Sequence, residues 1–164
     1  MHASQDWSDD LGELRAFAEA LVVGEDAQAL ARRLVKQATF ARLAWPAGGA
    51  LSPKARMFKE FIALHRRYVR KAGDSAEERD AFAAGPRPLG AEAAAARRLP
   101  LDLREALLLV AVSRFSHAEA ALALDLALPR LTERLLMARE RLAEALDPAR
   151  ANLMRRAPHL RLVK

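Results

Sequence analysis

No cysteine occurs in the 164 residues, so the chain can carry neither a disulfide framework nor a thiolate metal site, and a reducing cytoplasm suits it. Aromatic side chains make up only 5% of it, while alanine, leucine and arginine dominate, a balance that favours helices over sheets. No apolar run approaches the length that crosses a bilayer, and the opening stretch MHASQDWSDDLGEL is acidic without an apolar centre, which excludes a secretory signal. The four histidines, His2, His65, His117 and His159, are scattered and form no ligand pair, so no metal is expected; His65 and His117 read as surface or half-buried side chains. Gly48-Gly49 follows no strand and is too short to cradle a phosphate. Without a nucleophile elbow, a dinucleotide fingerprint or a catalytic carboxylate pair, the expectation is a protein that is not an enzyme and takes no cofactor.

What is present is basic charge in two blocks. The net charge is +6 and the isoelectric point about 10.4. Residues 1–72 hold 12 basic and 8 acidic side chains, 73–98 hold 4 and 5, and 99–164 hold 11 and 8. Two basic lobes thus flank a slightly acidic connector, an arrangement that permits nucleic-acid binding without requiring it.

Helical periodicity fills both lobes. A first helix is expected from Asp9 or Asp10 to about Val23, with Leu11, Leu14, Ala18, Leu21 and Val22 on its core face and Gly24 ending it. A second should run from Glu25-Asp26 to about Ala44, with Leu30, Leu34, Gln37 and Ala41 along one line and Arg32, Arg33 and Lys36 on the other. After the breaker-rich loop Trp45–Pro53, a third helix spans about Pro53 to Lys71. It ends in His65-Arg66-Arg67-Tyr68-Val69-Arg70-Lys71, a run that suits either a solvated helix end or a phosphate-tracking surface. Gly73, Gly85, Pro86, Pro88 and Gly90 break up the connector, leaving room for a short helix near Ala91–Arg98.

The stretch Leu99–Leu146 reads as three helices, the last two forming a helix-turn-helix. Ser116 and Glu119 have the spacing of a capping box at the start of the middle helix. The break falls at Asp125–Pro129, where Asp tolerates a left-handed turn and Pro suits a first helical turn. On the last helix Leu131, Leu135, Ala138, Leu142 and Leu146 form the apolar stripe, and Arg130, Glu133, Arg134, Met137 and Arg141 cluster opposite. An apolar back with a guanidinium front is what a groove-reading helix needs. The tail 149–164 is basic, with Asp147-Pro148 ending the helix before it.

Leu99-Pro100, Arg104-Glu105, the Ser116/Glu119 pair and Ala138-Arg139-Glu140-Arg141-Leu142 together resemble the −35-reading domain of two-domain extracytoplasmic-function sigma factors, of the sigma-70 type. Gln37-Ala38-Thr39-Phe40-Ala41-Arg42 resembles, more weakly, the −10-reading and core-binding domain of the same family. The resemblance implies an all-α chain of two small helical domains: a region-2-like domain over 1–72, a linker over 73–98, and a region-4-like helix-turn-helix domain with a basic tail over 99–164. It implies that Arg130, Thr132, Glu133, Arg134 and Arg141 meet the −35 groove and that Arg66, Arg67, Arg70 and Lys71 track the −10 strand. Arg32, Arg33, Lys36, Gln37 and Phe40 would face RNA polymerase core. The implied partners are promoter DNA, polymerase core and an anti-sigma factor, with no membrane.

Two departures from the family pattern keep a second class open. Asp125 and Pro129–Arg134 replace the usual turn glycine and recognition run, of which only Arg134 and the apolar frame remain, and the acidic pair of the second helix falls at Arg33-Leu34 or at Arg32-Arg33, with no acid in either register. A sigma mimic that binds an anti-sigma factor and releases the true sigma would keep the frame and lose such contacts, whereas the basic charge of both lobes suits a working sigma factor. An ordinary helix-turn-helix regulator would account for the C-terminal lobe and leave the N-terminal one without a role.

Overall fold

Every described element is helical. The computed structural model describes residues 2–24, 26–41, 51–73 and 90–147. Over these the order is α1 (His2–Leu21), α2 (Ala27–Ala41), α3 (Pro53–Gly73), α4 (Ala91–Arg97), α5 (Leu101–Ala111), α6 (His117–Ala123) and α7 (Leu128–Leu146). The Trp45–Ala50 part of the expected loop, the connector residues 74–89 and the basic tail 149–164 lie outside the described residues.

α1 begins earlier than its acidic residues suggest, because Trp7 packs against the core and prolongs the helix ahead of Asp9 and Asp10. It stops before Gly24, whose φ of 127° is a conformation that a side chain would strain. α2 buries Leu30, Ala31, Leu34, Val35 and Ala38. The buried stripe is therefore centred one residue away from the expected line, and Gln37 is exposed instead of facing the core. Pro53 opens α3 at the first helical position, with Ser52 Oγ accepting from Ala55 N at 3.1 Å.

Large rings fill the space where α1 meets α3. Phe17 packs on Phe58 at 5.2 Å between centroids and on Phe61 at 5.9 Å, both in the tilted or edge-on geometry that aromatic quadrupoles favour. The same core continues into the C-terminal lobe, because Phe115, in the loop between α5 and α6, meets Phe58 edge-on at 4.9 Å. The two basic lobes are thus packed together and share one apolar interior.

The C-terminal lobe forms as its local chemistry dictates. Ser116 accepts from Glu119 N while the Glu119 carboxylate accepts from Ser116 N, the reciprocal pairing of a capping box. Asp125 adopts φ 54° at the turn, and Pro129 sits in the first turn of α7. Leu131, Leu135 and Ala138 are buried, Leu142 is half-buried and Leu146 is exposed, so the apolar stripe outlasts the surface it docks on.

Candidate nucleic-acid and partner interfaces

The arginines expected to face a DNA groove gather along one edge of α7. Arg130, Glu133, Arg134, Met137 and Arg141 line a groove with Pro100, Asp102, Leu103 and Leu126, at the foot of α5, with a volume of about 400 Å³. At 100° per residue this cluster is centred roughly 110° from the Leu131–Leu135–Ala138 stripe. It therefore flanks the docked face, where the sequence pattern suggests the opposite side. Arg134 is the most enclosed of the three arginines, with Nε 3.6 Å from Asp102 Oδ2. Arg130 extends into solvent and pairs with Glu133 at 3.0 Å, one helical turn on. Thr132 is not part of that groove; its hydroxyl donates to the Leu128 carbonyl at 3.0 Å.

The basic run at the end of α3 divides. Arg67, Arg70 and Lys71 are exposed, whereas Arg66 turns toward the C-terminal lobe and grips Glu105 of α5. Its Nε donates to both carboxylate oxygens at 3.1 Å and its terminal nitrogen to Oε2 at 2.6 Å. Burial pushes the Glu105 carboxyl up, and the Arg66 hydrogen bonds pull it part of the way back; the same bonds raise the pKa of Arg66. Next to this pair lies His65, buried where a surface or half-buried side chain was expected, and stacked on Phe61 at 6.2 Å with the rings 9° from parallel. Neither of its ring nitrogens meets a hydrogen-bond partner among the described residues. Burial, with the charges of Arg104 and Arg66, lowers its pKa to about 4, so the ring is neutral at pH 7. His117 is exposed.

Other ties cross between the lobes. Lys59 of α3 pairs with Asp125 in the turn between α6 and α7. Lys54 pairs with Glu13 of α1, donates to the Ser113 carbonyl at 3.1 Å and lies 4.9 Å from the Phe115 ring centroid. None of these partners is marked in the sequence by a motif, since each joins residues far apart in the chain.

The basic face of α2 also divides. Arg33 leans over Tyr68 of α3 at 5.7 Å, while Lys36 lies over Phe40 at 5.9 Å. Arg32, Lys36 and Phe40 border a groove between α1 and α2 that has Arg15 on its other side. Gln37 is exposed but does not line that groove. Among the described residues no group of His, Asp or Glu could hold a metal ion, and no helix is long and apolar enough to cross a membrane.

No family model matches the chain, and no curated protein does. A solved structure is similar to it: the sigma factor RpoE from Bartonella quintana, crystallised in complex with the anti-sigma factor NepR. The likeness covers 89% of this chain and 97% of that one, at 26% sequence identity and a TM-score of 0.69. The all-helical arrangement described above is therefore a sigma-factor-like fold.

Proposed function

We propose that the chain works as an extracytoplasmic-function-type sigma factor in the cytoplasm, directing RNA polymerase to promoters and held in check by an anti-sigma factor. The observation that carries this reading is the likeness to a sigma factor, captured with its anti-sigma factor, over a span that includes both lobes. On this reading the 1–72 lobe binds polymerase core through the α2 face, at Arg32, Arg33, Lys36, Gln37 and Phe40, and the 99–164 lobe sets Arg130, Arg134 and Arg141 of α7 against the −35 groove and its phosphates. Arg67, Arg70 and Lys71 track the −10 strand. Arg66 joins them once the lobes part, because its guanidinium is held by Glu105 while they are packed together. The closed form is then the one an anti-sigma factor stabilises, and residues 73–98 are the linker that lets promoter DNA pull the lobes apart.

The test is co-elution of the purified chain with RNA polymerase core, followed by transcription from a genomic promoter library. Core binding with discrete start sites supports the proposal. A specific observation favours a second reading, a sigma mimic that sequesters an anti-sigma factor: Arg32 and Arg33 stand exposed on the helix where the family pattern carries an acidic pair. Failure to bind core, together with tight capture of an anti-sigma factor, would put the mimic first.

A further inference from the structure

The groove between α1 and α2 has a volume of about 490 Å³ and two kinds of lining. Its floor is apolar: Leu11, Ala18, Ala31 and Val35, all buried or half-buried. Its rim is cationic, with Arg15 on α1 and Arg32 and Lys36 on α2, against a single acid, Glu19. All four are exposed, and Arg15 and Arg32 belong to no ion pair among the described residues. At one end stands Phe40, 60% exposed although large and apolar. A phosphate backbone would use the rim and waste the floor and the ring, whereas the apolar face of an amphipathic helix would use all three. The charges flanking that face must then be negative.

We infer that the α1–α2 groove is a docking site for an acidic amphipathic helix of a partner protein, which seats apolar anchors against Leu11, Val35 and Phe40 and sets carboxylates against Arg15, Arg32 and Lys36. The inference rests on the sigma-type reading only in taking α2 as a partner-binding helix; the sign of the partner's charge comes from the groove. Arg33 has no share in it, since that side chain leans away over Tyr68.

The test uses the full chain and two labelled peptides of about 18 residues, long enough to hold a helical conformation when bound. Both carry Leu and Phe at i, i+3, i+4 and i+7; one has Glu on the flanks and the other Lys. The Glu peptide is expected to bind at least about tenfold more tightly, with a preference that shrinks as salt rises. The R32E/K36E double variant should invert the preference, and the R139E variant, a charge reversal at an exposed arginine of α7 outside the groove, should leave it unchanged. Equal binding of the two peptides, tighter binding of the Lys peptide, or inversion by R139E would overturn the inference, as would a random DNA duplex that binds the wild type more tightly than the Glu peptide does and loses that affinity in R32E/K36E. The outcome is separable from the promoter test. A chain that initiates transcription but ignores the Glu peptide loses the groove and keeps the sigma-type reading, and the reverse result keeps the groove alone.

Discussion

Arg66 of α3 holds Glu105 of α5 in a forked pair that joins the two lobes, the glutamate side chain fully buried and the arginine side chain 37% exposed. Such a pair is costly to break from one side, because the remaining charge has lost its water and gains nothing in return. Arg66→Ala should therefore destabilise the chain by about 3 kcal/mol, near the low end for a buried pair because the arginine is partly solvated. The R66M/E105L double variant, which removes both charges, should lie much closer to wild type. Urea unfolding of the three proteins measures this. If Arg66→Ala unfolds within about 0.5 kcal/mol of wild type, as surface substitutions do, the pair does not hold the lobes together.

Ser116 offers a local test of how α6 is held. α6 is only seven residues long, too short to be stable without its cap and its packing. Ser116→Ala removes the acceptor for Glu119 N and should cost about 1 kcal/mol, within the 0.5–2 range of such caps, while Ser116→Asp should restore most of it. Thermal unfolding followed by circular dichroism reads the difference. Equal midpoints for Ala and Asp would mean that α6 is positioned by packing alone.

The contrast between these two cases shows what the sequence made legible. Ser116 and Glu119 lie three residues apart, and the apolar positions of α7 lie three or four apart; helix geometry converts both spacings directly into structure. Arg66 and Glu105 are 39 residues apart, and each reads locally as something else: Arg66 as one cation in a basic run, Glu105 as one acid amid leucines. His65 in the same run gives no sign of being buried, because the residues that follow it in sequence are mostly arginine and lysine. Even within α7 the periodicity could not say that the docking surface ends near Ala138, leaving Leu146 exposed, or that the arginines would lie beside α5. Local rules found the helices and the cap; contacts between lobes had to be seen.

His65 should make stability depend on pH. Its ring takes a proton at about 4 in the folded chain and at 6.5 when unfolded. Between those values the unfolded state binds the extra proton, so the contribution is fully present above pH 6.5 and is lost as the pH falls toward 4, by about 3 kcal/mol in all. Glu105, pushed up by burial, acts in the opposite sense, but it is unchanged in a comparison of wild type with His65→Phe. That variant keeps an aromatic ring against Phe61 and should lack the extra loss between pH 6.5 and 4, whatever its stability at neutral pH. Parallel stability curves for the two proteins over this window would show that His65 is protonated as easily in the fold as outside it.

If α7 meets promoter DNA as proposed, Arg134 is the arginine best placed to discriminate bases. Its side chain is 27% exposed and sits 3.6 Å from Asp102, whereas Arg130 is 73% exposed and is tied only to its helical neighbour Glu133. A guanidinium oriented before binding loses less freedom on meeting a base edge, so Arg134→Ala should cost about 1–3 kcal/mol on a cognate promoter duplex and relax specificity at one position. Arg130→Ala should instead weaken cognate and scrambled duplexes alike and reduce the salt dependence by about one released ion. Asp102→Ala, which frees Arg134, should erode discrimination while leaving non-specific affinity the same or higher. Fluorescence anisotropy with cognate and scrambled duplexes over a salt series separates these outcomes. The control is Arg139→Ala, an exposed arginine of α7 that does not line the groove. If Arg139→Ala costs as much specificity as Arg134→Ala, DNA meets a different flank of α7, and the groove beside Asp102 does not read the promoter.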